Sequence, residues 1–359
     1  MKNNVFLAAG GTGGHIYPAI AVAKALEEQT PNIKINFWGA TKGLENTIIP
    51  QYDYPLYRIK MGRINHNVSK LERVLTLFLL PLAFLRAIYI LLSVRPKFVI
   101  GFGGHASAAL LLASCFLRIP SYIWEPNALP GLTNRKLSGF VKEAFVVYEK
   151  AKKHMKCPTR DLGLPIRKEV EQKEEKIPHQ GFHVLVYGGS QGSMAINKII
   201  LEMVEKNLLP SDVKILLQTG VKNFSVMQAL YHKKKDQLEL TDYIHDMPKK
   251  YAWADLAIAR AGTGTISEFA SVQMPNILIP LPTSAEYHQF DNAKSLSDKG
   301  ASILLEEKDA SAERLAEEIN KLKNNKESLL QMAQNIKSFH QPNSAGKIAN
   351  YLISSNFEV

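Results

Sequence analysis

Apolar residues fall into short unbroken runs, and stretches of helical spacing separate them. Runs at 5–8, 33–38, 98–102 and 121–124 predict strands in the first half of the chain. Runs at 183–187, 213–217, 255–259, 276–279 and 302–305 predict strands in the second half. None of them alternates apolar with polar positions, which suits parallel sheets covered on both faces. Helices are predicted near 15–29, 71–94 and 105–118, then near 193–206, 264–272, 288–299 and 311–323. Ile16, Ala19, Ile20, Ala23 and Leu26 share one face of the first helix. The rhythm breaks between about 159 and 181, where Pro165, Pro178 and a run of charges read as an interdomain connection. Two α/β domains are therefore expected, 1–160 and 161–344, with a last helix from 345 that the pattern assigns to neither.

Residues 74–94 are apolar for a length that could span a bilayer, but Pro81 and Arg86 interrupt them inside the strand–helix alternation. A buried or amphipathic helix pair is the better reading. Lys70, Arg73, Arg86, Arg95 and Lys97 flank or interrupt it. Apolar groups beside cations suit an anionic leaflet, and an ordinary core helix with solvated basic ends suits them equally. The chain carries 44 Lys+Arg against 33 Asp+Glu, a net charge of +11, which favours anionic partners. No aromatic–basic motif points to nucleic acid. The N-terminus lacks the long apolar stretch of a secretion signal. Two cysteines, Cys115 and Cys157, argue against a disulfide framework and fit a reducing compartment.

Two glycine-rich turns sit between a strand and a helix: Gly10-Gly11-Thr12-Gly13-Gly14-His15 and Gly188-Gly189-Ser190-Gln191-Gly192-Ser193. Glycine admits a ligand close to the backbone, and a helix N-terminus offers N–H groups and a positive dipole end, so each turn can cradle phosphate. His15 stands where α/β sheets bind ligands, and its type suits a general base or a cap for the turn. Gly101-Phe102-Gly103-Gly104-His105 forms a third such turn, and Trp124-Glu125-Pro126-Asn127 ends another strand, with Asn127 able to bond sugar hydroxyls or to close an Asx turn. In Arg260-Ala261-Gly262-Thr263-Gly264-Thr265 the loop amides and threonines could grip phosphate, and Glu268 could accept ribose hydroxyls. Gln289 and Asn292 share a helical face suited to sugar hydroxyls. No cluster has metal-ligand spacing.

Several of these motifs, in this order along nearly the whole chain, resemble the MurG family of peptidoglycan N-acetylglucosaminyltransferases. They are Gly10 to Pro18, Gly101 to Gly104, Pro130 to Asn134, Gly188 to Gly192, Tyr243 to Met247 with Tyr251-Ala252, Arg260 to Glu268, and His288-Gln289 with Asn292-Ala293. The resemblance implies a GT-B fold, in which two Rossmann-like parallel-sheet domains face a central cleft and the C-terminal helix, 345–359, packs back on the first. It implies inverting transfer of GlcNAc from UDP-GlcNAc to the MurNAc 4-hydroxyl of lipid I (undecaprenyl-pyrophosphoryl-MurNAc-pentapeptide), giving lipid II for cell-wall synthesis, and with it cell shape and division. No cofactor or metal is implied. The place of work would be the cytoplasmic face of the inner membrane, held peripherally on an anionic surface.

Carried over by position, Ser190 and Thr265 would meet the donor diphosphate, with Arg167 as the nearby cation. Ile244 would meet uracil, Glu268 the ribose, and Gln289 and Asn127 the GlcNAc hydroxyls. Thr12, Gly13 and Gly14 would line the meeting point of donor sugar and acceptor hydroxyl, with His15 as base and Gly103, Gly104 and His105 on the acceptor side. Trp124, Pro126, Leu164 and His105 depart from the usual family residues. The rivals are a GT-B enzyme with another acceptor and a non-catalytic nucleotide-sugar-binding protein.

Overall fold

The computed structural model describes residues 3–11, 13–60, 70–166, 168–172, 174–189, 191–231, 236–284 and 287–357, the side chains of 70–78 and 105 excepted. The chain divides into two compact units. One comprises the described residues of 1–167 and 341–359, and the other is Lys168–His340. Residues 161–166 and 341–344, grouped by the sequence pattern with the second domain, thus lie with the first unit.

The first unit runs β1 (Asn3–Ala8), α1 (Gly13–Gln29), β2 (Ile33–Ala40), α2 (Glu45–Ile48), β3 (Leu56–Ile59), α3 (Lys70–Val94), β4 (Val99–Gly101), α4 (His105–Phe116), β5 (Ser121–Glu125), α5 (Leu132–Leu137), β6 (Glu143–Val146), α6 (Glu149–Lys152) and β7 (Thr159–Arg160). The second runs α7 (Lys168–Glu171), β8 (Phe182–Tyr187), α8 (Met194–Glu205), β9 (Val213–Gln218), α9 (Val221–Leu230), β10 (Leu238–Thr241), α10 (Met247–Trp253), β11 (Leu256–Ala259), α11 (Thr263–Val272), β12 (Asn276–Leu278), α12 (His288–Ser297), β13 (Ile303–Leu304), α13 (Ala312–Lys323) and α14 (Lys326–Lys337). The last helix, α15 (Ser344–Asn356), returns to the first unit and packs on α1.

Both sheets are parallel. The first has the order β3-β2-β1-β4-β5-β6-β7 and the second β10-β9-β8-β11-β12-β13. Each reads outward from its first strand in both directions, so each has a switch point, between β1 and β4 and between β8 and β11. There the crossovers leave in opposite directions and open a crevice at the strand C-termini. The unbroken apolar runs follow from burial on both faces: every residue of β4, β5, β8 and β11 is buried.

α3 is one helix through Pro81, not a pair of helices. Ala83, Ala87, Ile90 and Leu91 bury one stripe against the core, while Leu82, Leu85, Tyr89 and Leu92 stand exposed along another. With both stripes apolar, the sequence shows no clean helical period. Among the described residues no helix is long and apolar enough to cross a membrane. Cys115 and Cys157 are free thiols.

At the start of β8 the buried His183 ring stacks on His179, centroids 3.5 Å apart, and on Trp253 at 4.3 Å. Asp255 pairs with His179 at 3.4 Å and with Lys176 at 3.2 Å. Burial, then the neighbouring His179, holds the His183 pKa below its ordinary value. Charging His183 therefore costs more in the folded chain than in the unfolded one. Its contribution to stability is present above the unfolded pKa of about 6.5 and is lost as pH falls through the lower folded value. Urea midpoints at about pH 7.5 and about pH 5.5 should diverge in the native chain and converge in His183→Phe; an equal drop in both would remove His183 as the cause.

Candidate active site

The turns at both switch points are built by glycine. In the first unit, the turn after β1 meets the turn after β4. Gly104 has φ +86, and a Cβ there would come within 2.7 Å of the Gly10 carbonyl oxygen, so no other residue allows that approach. His15, in the first turn of α1, donates from Nδ1 to the same Gly10 oxygen at 3.2 Å. A carbonyl can only accept, so the bond places a proton on Nδ1, and in the neutral ring Nε2 is then the nitrogen able to take one. A Cβ on Gly103 would lie 2.9 Å from that Nε2, so only glycine lets the turn after β4 come this close to the ring.

One strand further along the sheet edge, the buried Glu125 ends β5 and gathers its loop. It accepts from the Asn127 N–H at 2.9 Å, the Asn127 amide at 3.0 Å, the Gly131 N–H at 3.0 Å and the Asn134 amide at 2.9 Å. Burial holds its pKa above the ordinary carboxylate value, a shift these four bonds oppose without cancelling. Asn127 is thus oriented by a carboxylate that the sequence reading gave no role.

In the second unit a cavity of about 490 Å³ opens at the switch point. Gly188, Gly189, Gly192 and the first residues of α8 line one side; Gly262 and Thr265, at the start of α11, line another; and Gln289 stands at the rim. Two helix N-termini, those of α8 and α11, therefore bring their positive dipole ends to one space, an arrangement suited to a diphosphate. Gly192 has φ +71 and lies so close to the Thr219 carbonyl that a Cβ would stand 1.8 Å from it, which fixes the turn against β9.

Beneath the cavity lies Arg260, 7% exposed. Its guanidinium donates to the Ile279 and Pro280 carbonyls at 3.1 and 3.0 Å and to Ser193 Oγ at 2.8 Å, and it pairs with Glu307. Ser193 in turn caps α8. The only signal for Arg260 in the sequence was its place before the Gly-Thr loop.

Thr265 and Gln289 share this cavity; Gln289 Oε1 accepts from the Leu281 N–H at 2.9 Å, which turns its amide over the Pro280–Pro282 loop. Asn292 is fully buried and does not join Gln289 on a sugar-facing surface. Ile244 and Glu268 lie beyond the cavity lining. The Ile244 N–H donates to Gln218 Oε1 at 3.3 Å, and Gln218 Nε2 donates to the Gly189 carbonyl at 2.9 Å, linking the two positions. Glu268 accepts from Tyr251 O–H at 2.6 Å, and Tyr251 shares a bond with Tyr187 at 2.9 Å. Burial and the Glu268 charge hold Tyr251 well above its ordinary pKa, so it stays a donor. Thr12, Arg167 and Ser190 lie outside the described residues, as does the side chain of His105. Among the described residues no group of three or more His, Cys, Asp and Glu could hold a metal ion.

Two Rossmann-like parallel-sheet units with glycine turns at their switch points give the chain the GT-B fold. Residues 5–146 match the glycosyltransferase family 28 N-terminal domain and residues 183–348 the glycosyltransferase family 28 C-terminal domain, and the chain belongs to that family. It is 38% identical over 356 residues to the UDP-N-acetylglucosamine–N-acetylmuramyl-(pentapeptide) pyrophosphoryl-undecaprenol N-acetylglucosamine transferase of Bdellovibrio bacteriovorus, covering 98% of this chain and 99% of that protein. The protein of the same name from Carboxydothermus hydrogenoformans is 36% identical, with 91% of each covered. The crystal structure of Acinetobacter baumannii MurG superposes with a TM-score of 0.77 at 27% identity, covering 98% of this chain and 99% of that one.

Proposed function

We infer that this chain transfers GlcNAc from UDP-GlcNAc to the MurNAc 4-hydroxyl of undecaprenyl-pyrophosphoryl-MurNAc-pentapeptide, with inversion, yielding lipid II. The observation that carries the reading is the second-unit cavity, where two helix N-termini and a buried arginine meet, in a chain matched end to end by transferases of that name. The acceptor oxygen attacks the anomeric carbon, its proton passes to His15 Nε2, and the glycosidic C–O bond breaks toward UDP. Charge gathers on the departing diphosphate, where the N–H groups of α8 and α11 support it. Thr265 contacts that diphosphate, with Ser190 and Arg167; Glu268 holds the ribose, Ile244 the uracil, and Gln289 and Asn127 the sugar hydroxyls. Gly13, Gly14 and Thr12 adjoin the reacting atoms, and Gly103, Gly104 and His105 the acceptor.

No metal is needed in this scheme. Labelled GlcNAc should pass from UDP-GlcNAc to a lipid I analogue at the same rate with and without EDTA. Transfer abolished by EDTA would overturn the metal-free step. UDP-GlcNAc binding without transfer would favour another acceptor or a binding protein.

The exposed stripe Leu82, Leu85, Tyr89 and Leu92 continues to Phe116, whose ring meets Phe84 edge-on at 6.0 Å, and Arg86, Arg95 and Arg118 are exposed on the same two helices and the turns that follow them. Apolar anchors flanked by cations support a peripheral seat on the anionic cytoplasmic leaflet, where the polyprenyl acceptor resides. From there lipid II would feed wall growth, and so cell shape and division. Leu85→Glu with Tyr89→Glu should cut sedimentation with anionic vesicles about tenfold or more while leaving transfer to a short-chain soluble acceptor intact. Unchanged sedimentation would return the stripe to an ordinary surface.

A further inference from the structure

Glu45 has no exposed surface, although it opens a four-residue helix beside a loop. Its two oxygens are both engaged by backbone: Oε1 accepts from the Ala40 N–H at the end of β2, and Oε2 from the Gly11 N–H in the turn after β1, each at 2.9 Å. Three glycines make room for it. A Cβ on Gly10 would lie 2.9 Å from Oε1, one on Gly39 2.8 Å from Cγ, and one on Gly43 2.1 Å from Oε2. The peptide joining Gly10 to Gly11 is therefore gripped at both ends. Glu45 holds its N–H, and His15 Nδ1 bonds its carbonyl oxygen, against which Gly104 also packs.

We propose that Glu45 is a positioning residue for the transfer reaction, because it fixes the peptide plane whose carbonyl selects the His15 tautomer. The proposal rests on the reading of His15 as base. If Glu45 releases the Gly11 N–H, the peptide is held at its carbonyl alone, that carbonyl shifts against Nδ1, and the ring proton is no longer confined to Nδ1. A general base set in this way acts through its own orientation, and a displacement of about 1 Å costs up to about 100-fold in rate.

Glu45→Gln keeps the shape but offers one acceptor oxygen to two N–H donors. Gly43→Ala keeps the Glu45 carboxylate but displaces it, since a Cβ there would stand 2.1 Å from Oε2, 2.7 Å from Cδ and 2.8 Å from Oε1; Gly43 lies outside the left-handed region, so its backbone accepts alanine. This second variant serves where the first does not fold. Both should lower kcat about 10- to 100-fold with the KM for UDP-GlcNAc within about twofold of native. In 15N-histidine spectra of the full chain, the His15 signals should move from the Nδ1–H pattern toward a tautomer mixture. Glu45→Gln combined with His15→Ala should turn over no more slowly than His15→Ala alone. Native kcat with an unmoved tautomer pattern in a folded variant would overturn the proposal, as would a further loss in the double variant. Native turnover in His15→Ala would instead sink the base assignment, and the spectra would still decide whether Glu45 governs the ring.

Discussion

His15→Ala is expected to lower kcat by about 10²- to 10⁴-fold, the range a positioned general base supplies. Calorimetric affinity for UDP-GlcNAc should hardly move, because the donor cavity is built from α8, α11 and their loops in the second unit. The size of the loss follows from what the alanine removes. It takes away the lone pair on Nε2 and also the Nδ1 bond that helps hold the Gly10 carbonyl. His15→Gln separates the two: its amide can still donate to that carbonyl but cannot accept a proton at neutral pH. Near-native turnover in His15→Gln would mean that the turn, and not proton transfer, is what His15 supplies. Similar losses in both variants would place the effect on the proton.

The parts of this arrangement legible in the sequence were those that repeat along the chain or break it. Parallel strands buried on both faces announce themselves as apolar runs, and the glycine turns after β1, β4 and β8 announce the two switch points. Short strands such as β6 (Glu-Ala-Phe-Val) and β10 (Leu-Glu-Leu-Thr) passed unseen because a carboxylate breaks the apolar run in each, whereas β4 and β11, no longer than these, stand in unbroken ones. Glu45 was invisible for a different reason. In Gly-Leu-Glu-Asn-Thr it reads as a solvated helix start, and the donors that bury it come from Ala40 and from Gly11, 34 positions earlier. Glu125 and Tyr251 lay inside recognised motifs without roles, because each acts on a neighbour: Glu125 on Asn127, Tyr251 on Glu268. Local pattern locates the loops that meet ligand, and the groups that hold those loops become visible only when the fold brings them together.

Arg260→Met is expected to damage both stability and donor binding, and for one reason. The guanidinium joins the carbonyls of Ile279 and Pro280, the cap residue Ser193, and Glu307 into a single support under the cavity. Removing one member of a buried ion pair costs about 3–5 kcal/mol, because the partner is left without compensation. Glu307 is 28% exposed at its side chain, so water recovers part of this and the loss should fall at or below the lower end. Urea unfolding would read it as a lower midpoint for the transition of the second unit. Affinity for UDP should fall as well, since the loop after β8 loses its tie to the loop after β12 and an unpaired carboxylate is left facing the diphosphate. Arg260→Met with Glu307→Leu separates these contributions: stability should return toward native, as apolar replacement of a buried pair commonly allows. Affinity should recover in part, to the extent that repulsion from Glu307 caused the loss. Full recovery would show that Arg260 serves only to neutralise Glu307, whereas persistent weakness in a stable double variant would show that the guanidinium itself shapes or charges the phosphate site.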